Sequence, residues 1–64
     1  MKIVIDAMGG DNAPKVIVEG AMNAISDVKD LHITLVGNDQ EIKKYLTNDE
    51  RISIIHTEEV IGGE

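Results

Sequence analysis

The sequence predicts an α/β fold in which strands and helices alternate as β-α-β-α-β around a mainly parallel sheet. Three short apolar runs rich in β-branched residues occupy residues 2–6, 31–36 and 51–56. Two stretches with apolar residues at helical spacing separate them, at residues 11–28 and 38–46. Each stretch is long enough to cross the sheet, so we expect parallel strands with right-handed crossovers, as at the start of a doubly wound sheet.

The first strand is predicted from a continuous run. Residues Lys2 to Asp6 are apolar at the centre, which is typical of a parallel strand covered on both faces. We therefore expect this strand to be buried inside the sheet. Gly9 and Gly10 interrupt the run, and they predict a tight loop before the first helix.

The first helix is predicted between Asp11 and Val28. Pro14 fits its first turn, where a missing N–H is no loss, and Asp11 or Asn12 is the expected N-cap. Gly20 costs about 1 kcal/mol relative to Ala inside a helix, which suggests close packing against the sheet at that point. The apolar stripe consists of Ile17, Ala21, Ala24, Ile25 and Val28.

The second half of the chain predicts two strands and one short helix. One face of the second strand carries Leu31, Ile33 and Leu35. Asn38 stands three residues before Glu41, which is the spacing of a capping box. The apolar stripe of the short helix is formed by Ile42, Tyr45 and Leu46. No element is predicted in the acidic tail at residues 57–64.

The size of the chain limits its core. Its 64 residues make one small domain, and such a domain buries only about 60% of the surface that the unfolded chain exposes. There is no cysteine, so no disulfide or thiolate zinc site supplements the core. We expect a partner chain, or the rest of a longer chain, to supply further stability.

Composition argues against several functional classes. The formal net charge is −6, whereas nucleic-acid binding requires clustered basic residues. Tyr45 is the one aromatic residue, so the sequence has no platform on which bases stack. No apolar run approaches the ~20 residues of a membrane span, and the amino terminus does not resemble a signal peptide. We expect a soluble, cytoplasmic protein.

Strand direction predicts which polar residues meet. Parallel strands place a set of polar and glycine residues at the carboxyl edge of the sheet, namely Asp6, the Gly9–Asp11 loop, Gly37, Asn38 and His56. His32 falls at the opposite edge. The two histidines therefore cannot share a metal ion, and we predict no metal site.

The glycine loop predicts an anion site. Glycines allow close approach to the backbone, and the N–H groups at the start of a helix have no intrahelical partner, so phosphate is a suitable ligand. Neither G-x-G-x-x-G nor the P-loop pattern is present. A purely structural tight turn is an equally open interpretation of Gly9 and Gly10.

Individual side chains near this loop also have two interpretations each. Asp6 occupies the position of a phosphoaspartyl nucleophile, but Met8 stands where such sites need a second polar group, so we favour Asp6 as an acceptor for loop amides. Asp11 is first a capping residue and second a substrate or metal contact. Met8 is first a packing residue and second a contact for an apolar ligand chain. His56 either contacts a bound anion or is an ordinary edge residue.

Residues 1–15 resemble the start of the bacterial phosphate acyltransferases of phospholipid synthesis, the PlsX family. The core D-A-M-G-G-D-x-A-P is matched at every fixed position from Asp6 to Pro14. Residues 18–21, 31–37 and 58–61 resemble later segments of the same family in the same order. The variable position of the core, often His in the family, is Asn12 here, so we assign it no proton-transfer role.

The resemblance implies an enzyme that transfers a fatty acyl group from acyl carrier protein to inorganic phosphate and needs no cofactor. It implies the fold group of isocitrate and isopropylmalate dehydrogenases and phosphotransacetylase, a homodimer, and peripheral association with the inner face of the membrane. No residue is carried over as catalytic. The residues carried over as lining the substrate and phosphate site are Met8, Gly9, Gly10, Asp11 and Asn12.

The length of the chain limits how much of this enzyme residues 1–64 can form. Members of the family are several times longer, so residues 1–64 are interpreted as the N-terminal part of a single larger α/β catalytic domain, inactive on its own. The alternative is a non-catalytic βαβαβ module that binds an anion or associates with itself.

Overall fold

The computed structural model describes residues 1–47 and 50–58. The elements follow the order β1 (Lys2–Asp6), α1 (Lys15–Asp27), β2 (His32–Gly37), α2 (Asp39–Lys43) and β3 (Ile52–His56). All three strands form one parallel sheet in the order β1-β2-β3. The predicted α/β fold is confirmed. Most of the acidic tail, from residue 59 onward, lies outside the described residues.

The core lies between the two helices and one face of the sheet. Ile33 and Leu35 of β2 are 1% and 0% exposed, and they point to the same face because side chains alternate along a strand. The predicted face of the second strand is therefore confirmed. The buried side chains that form one cluster with these two are Ala7, Val18, Ala21, Ile25, Leu31, Ile42 and Ile52.

The opposite face of the sheet is covered by neither described helix. We call it the uncovered face, formed by Val4, Thr34, Val36, Ser53 and Ile55, which the strand register places in adjacent rows. Val4 is 70% exposed and Ile55 is 56% exposed. Apolar side chains on this face therefore contribute little to the core of the described chain.

β1 is an edge strand, so the expectation that it is buried inside the sheet was wrong for the described chain. It pairs only with β2, and Ile3 is 37% exposed on the face opposite to Val4. A continuous apolar run shows that a strand tolerates burial on both faces. The order of the strands decides whether other elements cover this strand, and a run of apolar residues does not encode that order.

The start of α1 differs from the sequence prediction. Pro14 is its N-cap residue, and no side chain caps the helix, so neither Asp11 nor Asn12 has the predicted role. Residues 11–14 form a turn, in which Asn12 offers its backbone oxygen to the Val16 N–H at 3.3 Å. This turn separates the expected capping residues from the first helical residue.

Gly20 does not mark a close helix-to-sheet contact. It is exposed, and a Cβ added there meets no atom within 4 Å. The predicted close packing was therefore wrong. The core-facing stripe of α1 is formed instead by Val18, Ala21 and Ile25.

The end of α1 is closed by a side chain from the start of β3. The Arg51 guanidinium donates hydrogen bonds to the backbone oxygens of Ile25 at 2.9 Å, Val28 at 3.2 Å and Lys29 at 2.6 Å. The last carbonyls of a helix have no intrahelical partner, and a cation at that end is favoured by the helix dipole. Arg51 thus ties α1 to β3 across the helix side of β2.

The start of α2 agrees with the prediction. The Asn38 side chain accepts a hydrogen bond from the Glu41 N–H at 3.1 Å. The Glu41 carboxylate pairs with Lys44 at 3.1 Å rather than turning back to Asn38, so only half of the capping box forms. Ile42 is fully buried, while Tyr45 is 37% exposed.

Candidate functional site

The parallel register gathers the predicted polar residues at the carboxyl edge of the sheet. Asp6 pairs with Val36, and Gly37 pairs with His56. His32 begins β2 and therefore lies at the opposite edge, as predicted. Because β2 lies between β1 and β3, the ends of the outer strands are two strand spacings apart, roughly 10 Å.

The loop from β1 to α1 is anchored at its beginning. The Ala7 N–H donates to the Val36 oxygen at 2.9 Å, and the Ala7 side chain is fully buried. Asp6 Oδ1 accepts a hydrogen bond from the Met8 N–H at 2.9 Å. Asp6 therefore has the geometry of an acceptor that holds a loop amide, which is the interpretation favoured from the sequence.

Beyond Met8 the loop is exposed, with backbone donors unused. The N–H groups of Gly9, Gly10, Asp11 and Asn12 donate to no acceptor within residues 1–47 and 50–58. Gly10 has a φ of +100°, and a Cβ added there meets nothing within 4 Å. Such a backbone is accessible to a ligand from outside, and successive free amides suit an anion.

Met8 connects this loop to the end of β2. A Cβ placed on Gly37 would lie 2.6 Å from Met8 Cγ and 2.9 Å from Met8 Sδ, so the methionine side chain passes directly over a residue that has no side chain. Gly37 thus sets the position of Met8. From sequence, Gly37 was only the end of a strand, because nothing local shows that a residue 29 positions earlier lies on it.

His56 is held at the start of α2. Its Nδ1 accepts a hydrogen bond from the Asp39 N–H at 3.1 Å, with Asp39 Oδ1 at 3.3 Å. Its Nε2 is 3.7 Å from Glu58 Oε2. His56 therefore links the end of β3 to the first residue of α2.

An open groove of about 490 Å³ lies between α2 and β3. His56, Asp39 and Lys43 form its polar part, and its apolar part includes Ile52 and Ile54. None of residues 8–12 lines it. The predicted site residues therefore divide into two neighbouring groups at one edge, the glycine loop with Asp6 and the groove with His56. Asp39 and Lys43 were not selected from the sequence, although their spacing of four residues places them on one helix face.

The described residues provide neither a metal-binding cluster nor a helix that could span a membrane. No group of three or more His, Asp or Glu side chains there is arranged to hold a metal ion. Neither α1 nor α2 combines the length and apolar character that crossing a bilayer requires.

Known proteins resemble this chain along nearly its whole length. The sequence model of a family described as fatty acid synthesis protein matches residues 1–64. Proteins named phosphate acyltransferase from Bacillus cytotoxicus and from a strain of Bacillus cereus are each 67% identical to it over 61 residues. The aligned segment covers 95% of this chain and 18% of each relative, so the chain spans less than a fifth of the length of the relatives it matches.

Proposed function

Because the chain belongs to the PlsX family of fatty acid synthesis proteins, we propose that it forms the N-terminal part of an acyltransferase. The reaction moves a fatty acyl group from acyl carrier protein to inorganic phosphate, and it supplies acyl phosphate for phospholipid synthesis. Two of the relatives carry the name phosphate acyltransferase at 67% identity to this chain, which supports the transferase class.

The observation that carries the proposal is the loop of free amides at residues 9–12. In the proposed reaction a phosphate oxygen attacks the thioester carbonyl, a C–O bond forms, and the C–S bond breaks as the carrier thiolate leaves. Phosphate must therefore be held in place while a second anionic group develops beside it. Unused N–H groups at the carboxyl edge of a parallel sheet meet that requirement without a cofactor.

The neighbouring residues have supporting functions in this proposal. Asp6 fixes the Met8 amide at 2.9 Å, which sets where the loop begins. Met8 turns an apolar side chain toward the end of β2 and lines the site beside Gly9, Gly10, Asp11 and Asn12. His56 has a supporting function at the same carboxyl edge of the sheet, where it lines the groove between α2 and β3. We assign no catalytic residue.

The proposal extends to partners and location. Acyl carrier protein and phosphate are the substrates, and the enzyme acts as a homodimer in the cytoplasm, peripherally at the inner face of the membrane. These features follow from family membership together with the family properties that the resemblance implies. Residues 1–64 alone are expected to be inactive, since they span 18% of the relatives' length.

A chimera tests the function directly. The aligned segment of the Bacillus cereus relative is replaced by that of this chain, and acyl phosphate formation is measured from acyl carrier protein thioester and inorganic phosphate. We expect turnover close to that of the unmodified relative. A folded but inactive chimera would instead favour the non-catalytic module.

A matched pair of glycine substitutions tests the loop within that chimera. Gly10→Ala forces a side chain into a φ of +100°, whereas Gly20→Ala adds the same methyl group in a helix, and neither Cβ meets an atom within 4 Å. Displacing the loop amides should lower kcat/KM for phosphate by about tenfold or more, and Gly20→Ala should leave it unchanged. Equal activity of the two variants would remove the loop from the site.

A further inference from the structure

The three methionines of the chain have different surroundings. Met1 is 75% exposed but precedes β1, at the edge of the sheet opposite to the glycine loop. Met22 is half-buried on α1, and its sulfur accepts hydrogen bonds from the Thr47 N–H at 3.4 Å and the Thr47 hydroxyl at 3.2 Å. Met8 is 40% exposed and directly precedes the free amides of residues 9–12. Chemistry at the Met8 sulfur can therefore affect the proposed anion site.

The Met8 side chain is packed closely on one side and exposed on the other. A Cβ built on Gly37 would lie 2.9 Å from Met8 Sδ, and the same point is 3.4 Å from Ile42 Cδ1. There is therefore no room for one further atom between the sulfur and the Gly37 backbone. Ile42 is fully buried, so an oxygen on this side of the sulfur would also be an unpaired polar atom against the core.

We propose that Met8 is a modification site, at which hydrogen peroxide reversibly oxidises the thioether to a sulfoxide and so weakens anion binding at residues 9–12. A sulfur lone pair attacks the peroxide, an S–O bond forms, and the O–O bond breaks. The sulfur loses two electrons, and the peroxide is reduced to water. The effect on phosphate rests on the proposed function, whereas the oxidation itself rests on the exposure and packing of Met8.

Exposure and hydrogen bonding favour Met8 over Met22 as the oxidised residue. Oxidation depends on access of the oxidant to a free sulfur. Thr47 engages the Met22 sulfur, while the Met8 sulfur accepts no hydrogen bond from any residue that the structure describes. Access to Met8 does not require the remainder of a longer chain to be absent. Any opening that admits phosphate to residues 9–12 also admits the smaller hydrogen peroxide to their neighbour.

The sulfoxide weakens anion binding whichever of its two epimers forms. An oxygen on the packed side forces the sulfur away from Gly37, and the loop moves with it. The Met8 N–H is held by Asp6 Oδ1 at 2.9 Å, so the movement falls on the residues that follow, from Gly9 onward. An oxygen on the exposed side instead stands beside the free amides as a hydrogen-bond acceptor and competes with the anion.

Peptide mapping tests the oxidation without reference to activity. The chimera with the Bacillus cereus relative is kept folded in dilute hydrogen peroxide, and mass spectrometry follows the uptake of oxygen at Met8 and at Met22. Met8 should oxidise faster than Met22 by about fivefold or more. Equal rates at the two methionines, or faster oxidation of Met22, would overturn the proposal.

Phosphate binding tests the consequence of the oxidation. Calorimetric titration of the oxidised chimera should give a Kd for inorganic phosphate about fivefold higher than before treatment, and methionine sulfoxide reductases should restore the original value. The matched control is Met8→Leu, which keeps an apolar side chain of similar volume but has no sulfur. Compared with its own untreated sample, this variant should not respond to peroxide.

The outcomes separate this inference from the proposed function. An equal response of Met8→Leu, or an unchanged Kd once Met8 is fully oxidised, would overturn the inference and leave the acyltransferase function intact. A chimera that binds phosphate in a peroxide-sensitive way but shows no turnover would contradict the proposed function and support the inference. A chimera that binds no phosphate before treatment would overturn the inference.

Discussion

The two strand-to-helix connections of this chain lie at the same edge of the sheet and are built differently. Between β2 and α2 a single residue, Asn38, leaves the strand and caps the helix with its own side chain. Between β1 and α1 the chain takes residues 7–14, and no side chain caps the helix. At the short connection the Glu41 N–H donates to the Asn38 side chain and the Asp39 N–H donates to His56 Nδ1. The long one leaves the N–H groups of residues 9–12 without an acceptor among the described residues, and for this reason we propose it as the anion site.

Gly37 is where the two connections touch, and its substitution should have the largest effect. Gly37→Val places atoms where Met8 Cγ now lies, 2.6 Å from the added Cβ, with Ile42 Cδ1 at 3.4 Å. Overpacking of this kind costs about 1–3 kcal/mol, which urea unfolding measures as a lower midpoint.

Truncating the methionine tests the cause of that loss. Met8→Ala should recover most of the stability in the Gly37→Val background, because the two substitutions act on one contact and are not additive. An undiminished loss in the double variant would show that the strain lies elsewhere, with Ile42 as the nearest candidate.

The two ends of α1 repeat the contrast within one helix. Its start has no side-chain cap, while its end receives three hydrogen bonds from Arg51. Arg51→Met keeps the apolar stem and removes the donors, so we expect a loss of about 2 kcal/mol in the free energy of unfolding. Lys29→Met is the control, since it removes a nearby exposed cation whose side chain makes none of these contacts, and it should change stability by less than about 0.5 kcal/mol.

The capping residues give the smallest effect and the sharpest contrast. Asn38→Ala removes the acceptor of the Glu41 N–H and should cost about 1 kcal/mol, whereas Asn38→Asp should retain most of it. Asp11→Ala and Asn12→Ala cap nothing and should each cost less than about 0.5 kcal/mol. Thermal unfolding of the four variants side by side measures the difference. A large loss of stability in Asp11→Ala would contradict this, because it would show that the Asp11 side chain caps α1.

The local sequence pattern was enough to predict structural features that depend only on residues close together in the chain. The alternation that buries Ile33 and Leu35, and the spacing of Asn38 and Glu41, are each contained in a few consecutive positions, and the structure confirms both. The predicted N-cap of α1 was wrong for a local reason, because a turn at residues 11–14 separates the expected capping residues from the first helical residue. The sequence offers several residues there that are equally suited to begin a helix.

What the sequence did not predict depends on distant parts of the chain. The exposure of β1 follows from strand order, and a run of apolar residues is compatible with an edge or a centre. The contact of Met8 with Gly37 and the pairing of His56 with Asp39 join residues that are far apart in sequence. Such contacts exist only once the sheet has been assembled, so spacing along the chain carries no signal for them.

The uncovered face has a calorimetric consequence. Heat capacity rises on unfolding mainly because apolar groups become hydrated, and the Val4 and Ile55 side chains of this face are already exposed to water. Its heat-capacity increment should therefore fall below the usual ~12–15 cal/mol/K per residue. A shallow, broad melting curve is then the normal behaviour of this chain, and a sharper one on raising the protein concentration would report that apolar surface has been removed from solvent by association.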